Sequence, residues 1–250
     1  MVSPMKVLLS LPALLILAAS ALAQDVTGTI EIERKLTKRS VTAPILMYQR
    51  GAVVQLGKAS PETTLDFERS RVVVYLEGAN LSNAGPSSVS NSAMQQVNRE
   101  FDPDLIVVPV GGTVAFPNMD PIFHNVFSLS KTKSFDLGSY DKGDTRRVTF
   151  AKPGVVNVYC HLHPNMSGTV VVVPNRYYAR ADSSGHYEIH DIPPGEYTVV
   201  AWHKAAGFFS KQVTVSETQR GVANFLLPFT TEQAQTKQKH EALTSAQGSQ

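Results

Sequence analysis

Four side chains in the second half of the chain have the types and spacing that suit one metal ion. Cys160, His163 and Met166 follow one another at the spacing C-x2-H-x2-M, and His124 lies 36 residues before the cysteine. A thiolate and two imidazoles in a plane, with a weak axial thioether, suit copper in both of its oxidation states. Neither state has its preferred geometry in such a site, so electron transfer requires little rearrangement. The pattern predicts one type 1 copper ion per chain, bound by these four residues.

The residues around this group indicate short β-strands that would bring it together. Apolar, β-branched and aromatic runs separated by Gly, Pro and Asn turns predict strands at 106–110, 113–116, 124–127, 147–150, 155–160 and 169–173. Short strands with regular turns are typical of an antiparallel sandwich. Cys160 would end a buried strand, and the following loop, stiffened by Pro164, would carry His163 and Met166. His124 must then come from a neighbouring strand.

A second set of predicted strands lies on both sides of this region. These strands cover 26–32, 71–76, 186–190, 197–202, 211–215 and 222–227. Residues 77–92, rich in Gly, Ser, Asn and Pro, predict a linker, and residues 231–250, rich in Gln, Lys, Ser and Thr, predict a disordered tail. No segment shows a convincing helical pattern. The sequence therefore predicts an all-β fold with a second, smaller sandwich.

Several short motifs surround the candidate ligands. They are Val-Pro-Val-Gly-Gly-Thr-Val-Ala-Phe at 108–116, His-Asn-Val at 124–126, Lys-Pro-Gly at 152–154, and Val-Tyr-Cys followed by His-Pro-x-Met at 158–166. On these motifs, residues 102–174 resemble a cupredoxin of the plastocyanin and amicyanin family, and the short gap between His163 and Met166 is closer to amicyanin. The resemblance implies a Greek-key β-sandwich, a blue copper site and electron transport. It also implies that Asn125 ties the two ligand-bearing loops together, and that His163 is the partly exposed ligand through which electrons pass.

His161 departs from this pattern, because it places an imidazole directly after Cys160 and so offers a competing ligand. Alternation of side chains along the strand is expected to point it away from the metal.

The C-terminal unit carries a different resemblance. Residues 187–202, Tyr-Glu-Ile-His-Asp-Ile-Pro-Pro-Gly-Glu-Tyr-Thr-Val-Val-Ala-Trp, resemble the carboxypeptidase regulatory-like, transthyretin-type sandwich, which is mostly structural or binding. Segments 26–30 and 72–76 are similar to the opening strands of the same sandwich. The expected organisation is thus a strand region with linker at 24–95, a cupredoxin at 96–175 and the second sandwich at 176–230. The cupredoxin is either inserted within the second sandwich or stacked beside it.

The N-terminal segment predicts export. Lys6 precedes an apolar run over 7–18, and Ala21-Leu22-Ala23 forms a small-x-small cleavage pattern, so residues 1–23 are interpreted as a signal peptide. Pro12 and the short apolar core disfavour a membrane span. The expected location is the periplasm. In that oxidising compartment a lone cysteine is buried, paired between chains, or held by a metal as a thiolate.

The amino-acid composition narrows the range of functions expected for the chain. The chain has 23 basic and 21 acidic residues among 250, a net charge of +2, so neither nucleic acid nor a membrane surface is an expected partner. Seven histidines are too few for a multicopper oxidase, and one cysteine excludes a dinuclear purple centre. The sequence predicts a carrier, not an enzyme, that passes single electrons between a periplasmic donor and acceptor. The alternatives are a copper chaperone or sensor, a non-redox cell-surface binding protein, and a structural zinc site.

Overall fold

The computed structural model describes residues 23–34, 36, 65–81 and 91–228. The predicted C-terminal tail, most of the predicted linker and all of the predicted signal peptide except Ala23 lie outside these residues. Nearly all regular structure in the described part is β-strand, which confirms the predicted fold class. No described helix has the length and apolar character needed to cross a lipid bilayer.

The elements of the described residues fall into an N-terminal group, a central group and a C-terminal group. The N-terminal group contains β1 (Gln24–Ile32), α1 (Leu65–Ser70), β2 (Val73–Glu77) and a 3-10 helix (Ala79–Leu81). The central group contains β3 (Asn91–Ala93), β4 (Gln95–Val97), β5 (Glu100–Asp102), β6 (Leu105–Pro109), β7 (Thr113–Pro117), β8 (His124–Leu129), β9 (Ser134–Tyr140), β10 (Thr145–Thr149), β11 (Gly154–Cys160) and β12 (Ser167–Val173). The C-terminal group contains β13 (Tyr178–Arg180), β14 (His186–Ile192), β15 (Gly195–His203), β16 (Gly207–Val215), β17 (Gly221–Val222) and β18 (Phe225–Leu227).

The two N-terminal strands pair with the C-terminal group. Strand β1 pairs with β14, β17 and β18, and β2 lies between β13 and β15, with β16 beyond β15. One apolar core is formed by residues of both sheets, and we call this unit the outer sandwich. Of the two arrangements that the sequence left open, this pairing corresponds to insertion. The chain leaves the outer sandwich at β2 and returns at β13, where Tyr75 pairs with Tyr178.

Strands β3–β12 form the unit that we call the inserted sandwich. A five-stranded sheet in the order β6-β12-β11-β8-β9 faces a three-stranded sheet in the order β10-β7-β3, and β4 and β5 form a separate hairpin. The core between them contains Val114, Phe116, Val126 and Val156 among other buried apolar side chains. The six strands predicted here are present with shifted ends, whereas β3, β4, β5 and β9 were not predicted.

The two sandwiches share a third apolar cluster. Its members come from β2 and β15 of the outer sandwich and from β6 and β12 of the inserted sandwich: Val73, Tyr75, Val200, Trp202, Leu105, Val171 and Val173. Strand β12 is therefore buried on both faces, since Val170 and Val172 belong to the core of the inserted sandwich. A continuous apolar run, rather than an alternating one, is what a strand covered on both faces requires.

Two local expectations were wrong. Residues Leu65–Ser70 form a short helix, with acidic Asp66 and Glu68 in its first turn and basic Arg69 in its last, as the helix dipole favours. Six residues are too few to show a helical repeat in the sequence. The strand predicted at 222–227 is broken into β17 and β18 at Ala223 and Asn224. There the Asn224 side-chain oxygen accepts a hydrogen bond from the backbone of β1.

Candidate metal centre

Three of the four predicted ligands meet at one end of the inserted sandwich. The Sγ atom of Cys160 lies 3.5 Å from Nδ1 of His124 and 3.6 Å from Nδ1 of His163. The three donor atoms lie within 4.8 Å of one another. His124 and Cys160 are buried, and His163 is partly exposed. The cluster thus joins a residue at the start of β8 to two residues at and just after the end of β11.

These separations fit a shared metal ion. Nitrogen and sulfur donors that bind one ion at about 2.0 and 2.3 Å, with tetrahedral to trigonal angles, lie roughly 3.5 to 3.7 Å apart. The two observed sulfur–nitrogen distances of 3.5 and 3.6 Å are close to that range. One thiolate and two imidazoles suit copper, and they also suit zinc. The residues present therefore fit a single copper ion.

Strand pairing brings the two distant segments together. Strands β8 and β11 are antiparallel neighbours, and Cys160 pairs with Val126, two residues after His124. Alternation along β11 places Val156, Val158 and Cys160 on the buried face of the sheet. The cysteine is therefore the last core-facing position of a buried strand, as the sequence predicted.

The loop after Cys160 is closed by two backbone hydrogen bonds. The N–H of Met166 donates to the carbonyl of His163 at 2.9 Å, which closes a tight turn with Pro164 in its second position. Proline is favoured at that position because its fixed φ angle already matches the turn. The N–H of Cys160 donates to the carbonyl of Met166 at 3.3 Å. The Met166 side chain is 1% exposed and belongs to the same apolar cluster as Cys160, so the fourth predicted ligand is buried in the same core as the cysteine.

Asn125 connects the two ligand-bearing segments through its backbone. Its carbonyl accepts a hydrogen bond of 3.1 Å from the N–H of His161. The resemblance to cupredoxins implied that Asn125 ties the two ligand-bearing loops together. Its side-chain Oδ1 is buried and has no hydrogen-bond partner among the described residues. The link that the structure shows is therefore a main-chain link.

His161 lies outside the donor cluster. Its ring stacks on Phe127, with centroids 3.7 Å apart, and its Nε2 is 3.6 Å from a carboxylate oxygen of Asp136. Half of the imidazole is exposed. The side chain thus points away from Cys160, as expected from alternation along the strand.

Asp120 belongs to the site but was not predicted from the sequence. The carboxylate of Asp120 lies 2.9 Å from Nε2 of His124, on the side of the ring opposite Cys160. Burial opposes ionisation of this group, but hydrogen bonds from the backbone of Arg99, from His124 and from the backbone of Asn98 outweigh it and lower the pKa of Asp120. Asp120 therefore stands as an ionised carboxylate behind a candidate ligand.

The environment of His163 also favours a free donor nitrogen. Burial, followed by the nearby charges of His124 and Arg99, lowers the pKa of His163. A lower pKa keeps the ring neutral further into the acid range. A neutral imidazole is the form that binds a metal ion.

A second group of possible metal donors lies on the outer sandwich. It consists of Asp25, Glu188 and His190, whose donor atoms also lie within 4.8 Å of one another. The His190 and Asp25 side chains are 63% and 36% exposed, so both are accessible to water. We assign no ligand to this group.

Comparisons with known proteins give partial matches. Residues 166–222 match the model of polysaccharide lyase family 4, domain II. The matched segment is a minority of the chain and covers β12 and most of the outer sandwich. No curated protein matches the chain at a significant level.

The solved structures that are similar to this chain include a nitrite reductase, a purple cupredoxin and an amicyanin. The copper-containing nitrite reductase of Thermus scotoductus is 28% identical over 36% of this chain and 26% of that one, with a TM-score of 0.32. A purple cupredoxin of Nitrosopumilus maritimus is 26% identical over 33% of this chain and 99% of that one, with a TM-score of 0.30. A reduced amicyanin variant is 22% identical over 40% of this chain and 97% of that one, with a TM-score of 0.32. This chain thus spans about a quarter of the nitrite reductase.

Proposed function

We propose that this protein is a cupredoxin-type carrier that binds one copper ion and transfers single electrons. The observation that supports this most strongly is the convergence of two Nδ1 atoms and one Sγ atom from segments 36 residues apart. His124, Cys160 and His163 would hold the ion, with Met166 as a weaker fourth ligand.

The surrounding residues suit a site that changes little between oxidation states. When bound, copper would supply a one-electron couple. His124 and Cys160 belong to paired strands, and the turn at Pro164 restricts the loop that carries His163. Donors fixed in this way cannot relax towards the geometry that either oxidation state prefers. The buried side of the site excludes water, and the partly exposed His163 offers the route for electrons.

Exposed apolar residues next to the ligands suit brief contacts with redox partners. Phe123 directly precedes His124 and is 56% exposed, and Leu162 directly precedes His163 and is 52% exposed. Exposed apolar side chains mark a contact site for another protein when they are grouped, and these two residues adjoin ligands of the same centre. We infer that a donor and an acceptor dock here in turn. The signal sequence predicted at residues 1–23 supports periplasmic partners.

The outer sandwich is proposed to be a structural or binding unit of the carboxypeptidase regulatory-like type. Its sheet face with Tyr75, Val200 and Trp202 packs against the inserted sandwich through the shared apolar cluster. This contact covers Val171 and Val173, which would otherwise be exposed to water. On this basis the outer sandwich would support the inserted sandwich structurally.

Spectroscopy of the purified protein with one equivalent of Cu(II) tests the copper assignment. We expect an intense sulfur-to-copper charge-transfer band and a narrow hyperfine splitting in the paramagnetic resonance spectrum, and both should vanish in Cys160→Ser. Retention of the band in that variant would contradict the proposal. Binding of zinc without any coloured copper form would indicate a structural zinc site.

Electron exchange separates a carrier from a copper chaperone. A reversible redox potential and fast self-exchange between oxidised and reduced protein are expected for a carrier. Rapid loss of Cu(I) to a chelating acceptor, with slow self-exchange, would show instead that the ion is cargo.

A further inference from the structure

The buried carboxylate of Asp120 faces the ring of His124 from the side remote from the thiol. Its Oδ2 lies 2.9 Å from Nε2 of His124, whereas Nδ1 of the same ring lies 3.5 Å from Sγ of Cys160. Asp120 is 6% exposed and His124 is 0% exposed. The two ring nitrogens therefore have different partners: a carboxylate at one and the donor cluster at the other.

The position of the carboxylate is fixed by a separate hairpin. The backbone N–H groups of Asn98 and Arg99 donate to its Oδ1 and Oδ2 at 2.7 and 2.9 Å. Both residues lie at the tip of the β4–β5 hairpin with positive φ angles of 55° and 61°, which turn successive amides towards one point. The N–H of Asp120 itself donates to the side chain of Asn118 at 3.0 Å. The carboxylate therefore cannot rotate away from His124 without losing several hydrogen bonds.

This arrangement determines which ring nitrogen carries the proton. A carboxylate without a proton can only accept, so Nε2 of His124 must donate to it. The neutral ring then has a free lone pair on Nδ1, the atom that faces Cys160. Fixing a ligand histidine through its second nitrogen also raises its basicity as a ligand.

We propose that Asp120 is a positioning residue for the metal centre: it holds His124 with Nδ1 free for the metal, and its buried negative charge favours Cu(II) over Cu(I). This inference rests on the proposed copper function. A fixed anion behind a ligand stabilises the more highly charged oxidation state more strongly. Asp120 should thus lower the reduction potential of the bound ion.

The test compares Asp120→Asn with Asp136→Asn. Asp136 also faces a histidine, His161, but that ring lies outside the donor cluster, so the control removes the same charge without touching a ligand. For Asp120→Asn we expect Cu(II) affinity to fall 10- to 100-fold, with a smaller loss for Cu(I). Each tenfold change in the ratio of the two affinities corresponds to about 59 mV in potential. Equal affinities and potentials in the wild type and Asp120→Asn, or an equal shift in both variants, would overturn the proposal.

A measurement on the metal-free wild type needs neither copper nor a variant. Nitrogen-15 NMR of the imidazoles at mildly alkaline pH reports which nitrogen of His124 carries the proton. We expect the proton on Nε2, and a proton on Nδ1 would overturn the proposal even if Asp120→Asn failed to fold. Failure of the wild type to form a coloured copper complex would instead count against the proposed function, whereas the tautomer result would stand by itself.

Discussion

Arg71 and Asp104 form a two-point ion pair between the sandwiches, with nitrogen–oxygen distances of 2.8 and 2.7 Å. Arg71 lies two residues before β2 and its side chain is 11% exposed, whereas the side chain of Asp104, just before β6, is 51% exposed. The strands that follow these two residues, β2 and β6, also contribute side chains to the shared apolar cluster. The contact between the sandwiches thus has an apolar component and a charged one, and their strengths can be measured separately.

Trp202→Ala should be strongly destabilising. Trp202 is 4% exposed and belongs to the shared cluster, and removal of a buried tryptophan side chain costs about 3 to 5 kcal/mol. Urea unfolding should show this loss in the free energy of unfolding. Phe208→Ala is the control, because that ring lies 6.4 Å from Trp202 but is 46% exposed. If Trp202→Ala lowered the free energy of unfolding no more than Phe208→Ala, the prediction would be wrong.

Asp104→Asn should have a much smaller effect. A half-exposed carboxylate interacts through a solvent-screened field, so the expected loss is below about 1 kcal/mol. The loss should shrink further at high salt, because mobile ions screen such a pair. Urea unfolding at low and high ionic strength measures both effects. A large loss that does not depend on salt would contradict this interpretation.

Metal binding should stabilise the fold. An ion bound only by the folded protein adds about 2.7 kcal/mol to the free energy of unfolding when its free concentration is 100 times the dissociation constant. Thermal unfolding with and without metal should show this gain in the wild type and in Met119→Leu, which alters an exposed methionine that adjoins Asp120. Cys160→Ala should lose the gain. Equal stabilisation of Cys160→Ala would place the bound ion elsewhere.

His161→Gln should leave the copper spectrum unchanged, whereas His163→Gln should abolish or shift the charge-transfer band. The two histidines are two positions apart, but only His163 belongs to the donor cluster, since His161 stacks on Phe127. Visible absorption and copper stoichiometry of the two variants measure the difference. Loss of copper from His161→Gln would show that its ring turns towards the thiol when the metal binds.

The metal-free protein should lose stability in mild acid because of His203. Burial is the main cause that lowers the pKa of His203, the charge of Arg71 adds to it, and Glu68 opposes it. Below about pH 6.5 the unfolded chain therefore takes up a proton that the folded protein refuses, so stability falls with pH until the folded-state pKa is reached. The slope for one proton is at most about 1.4 kcal/mol per pH unit.

His203→Gln is the comparison for this acid sensitivity. Urea unfolding of both metal-free proteins across this pH range should show a shallower slope in the variant. Parallel profiles would mean that another group controls the acid response. His163 is common to both proteins, so its own lowered pKa cancels in the difference.

The parts of the site that lie close together in the chain could be predicted from the sequence. Cys160, His163 and Met166 occupy one strand end and one tight turn, so their spacing alone indicates a common centre. His124 was predicted from its residue type and a flanking strand pattern. The buried run at Val170–Val173 predicted a strand, because four successive valines suit a strand covered on both faces.

The remaining features depend on contacts between residues that are distant in sequence, and a local sequence pattern cannot reveal such contacts. Asp120 becomes a partner of His124 only because the β4–β5 hairpin fixes its carboxylate through Asn98 and Arg99. Strand β9 was missed because Phe135 and Leu137 are its only large aliphatic or aromatic residues before Tyr140, and Gly138 interrupts the pattern. At that glycine, φ is +68°, and the pairing of β8 with β9 shifts register nearby. Such a shift is typical of a bulge, which periodicity cannot reveal.

The pairing of β2 with β13 has a consequence for the order of folding. These neighbouring strands are separated in sequence by the whole inserted sandwich, so their pairing must close a very long loop if that sandwich is still unfolded. The entropy lost on closure grows with loop length, by about 0.6 kcal/mol for each doubling. Once the insert has folded, its two ends lie close together and it acts as a short connection. A ligand that promotes early folding of the insert would thereby speed completion of the surrounding sheet.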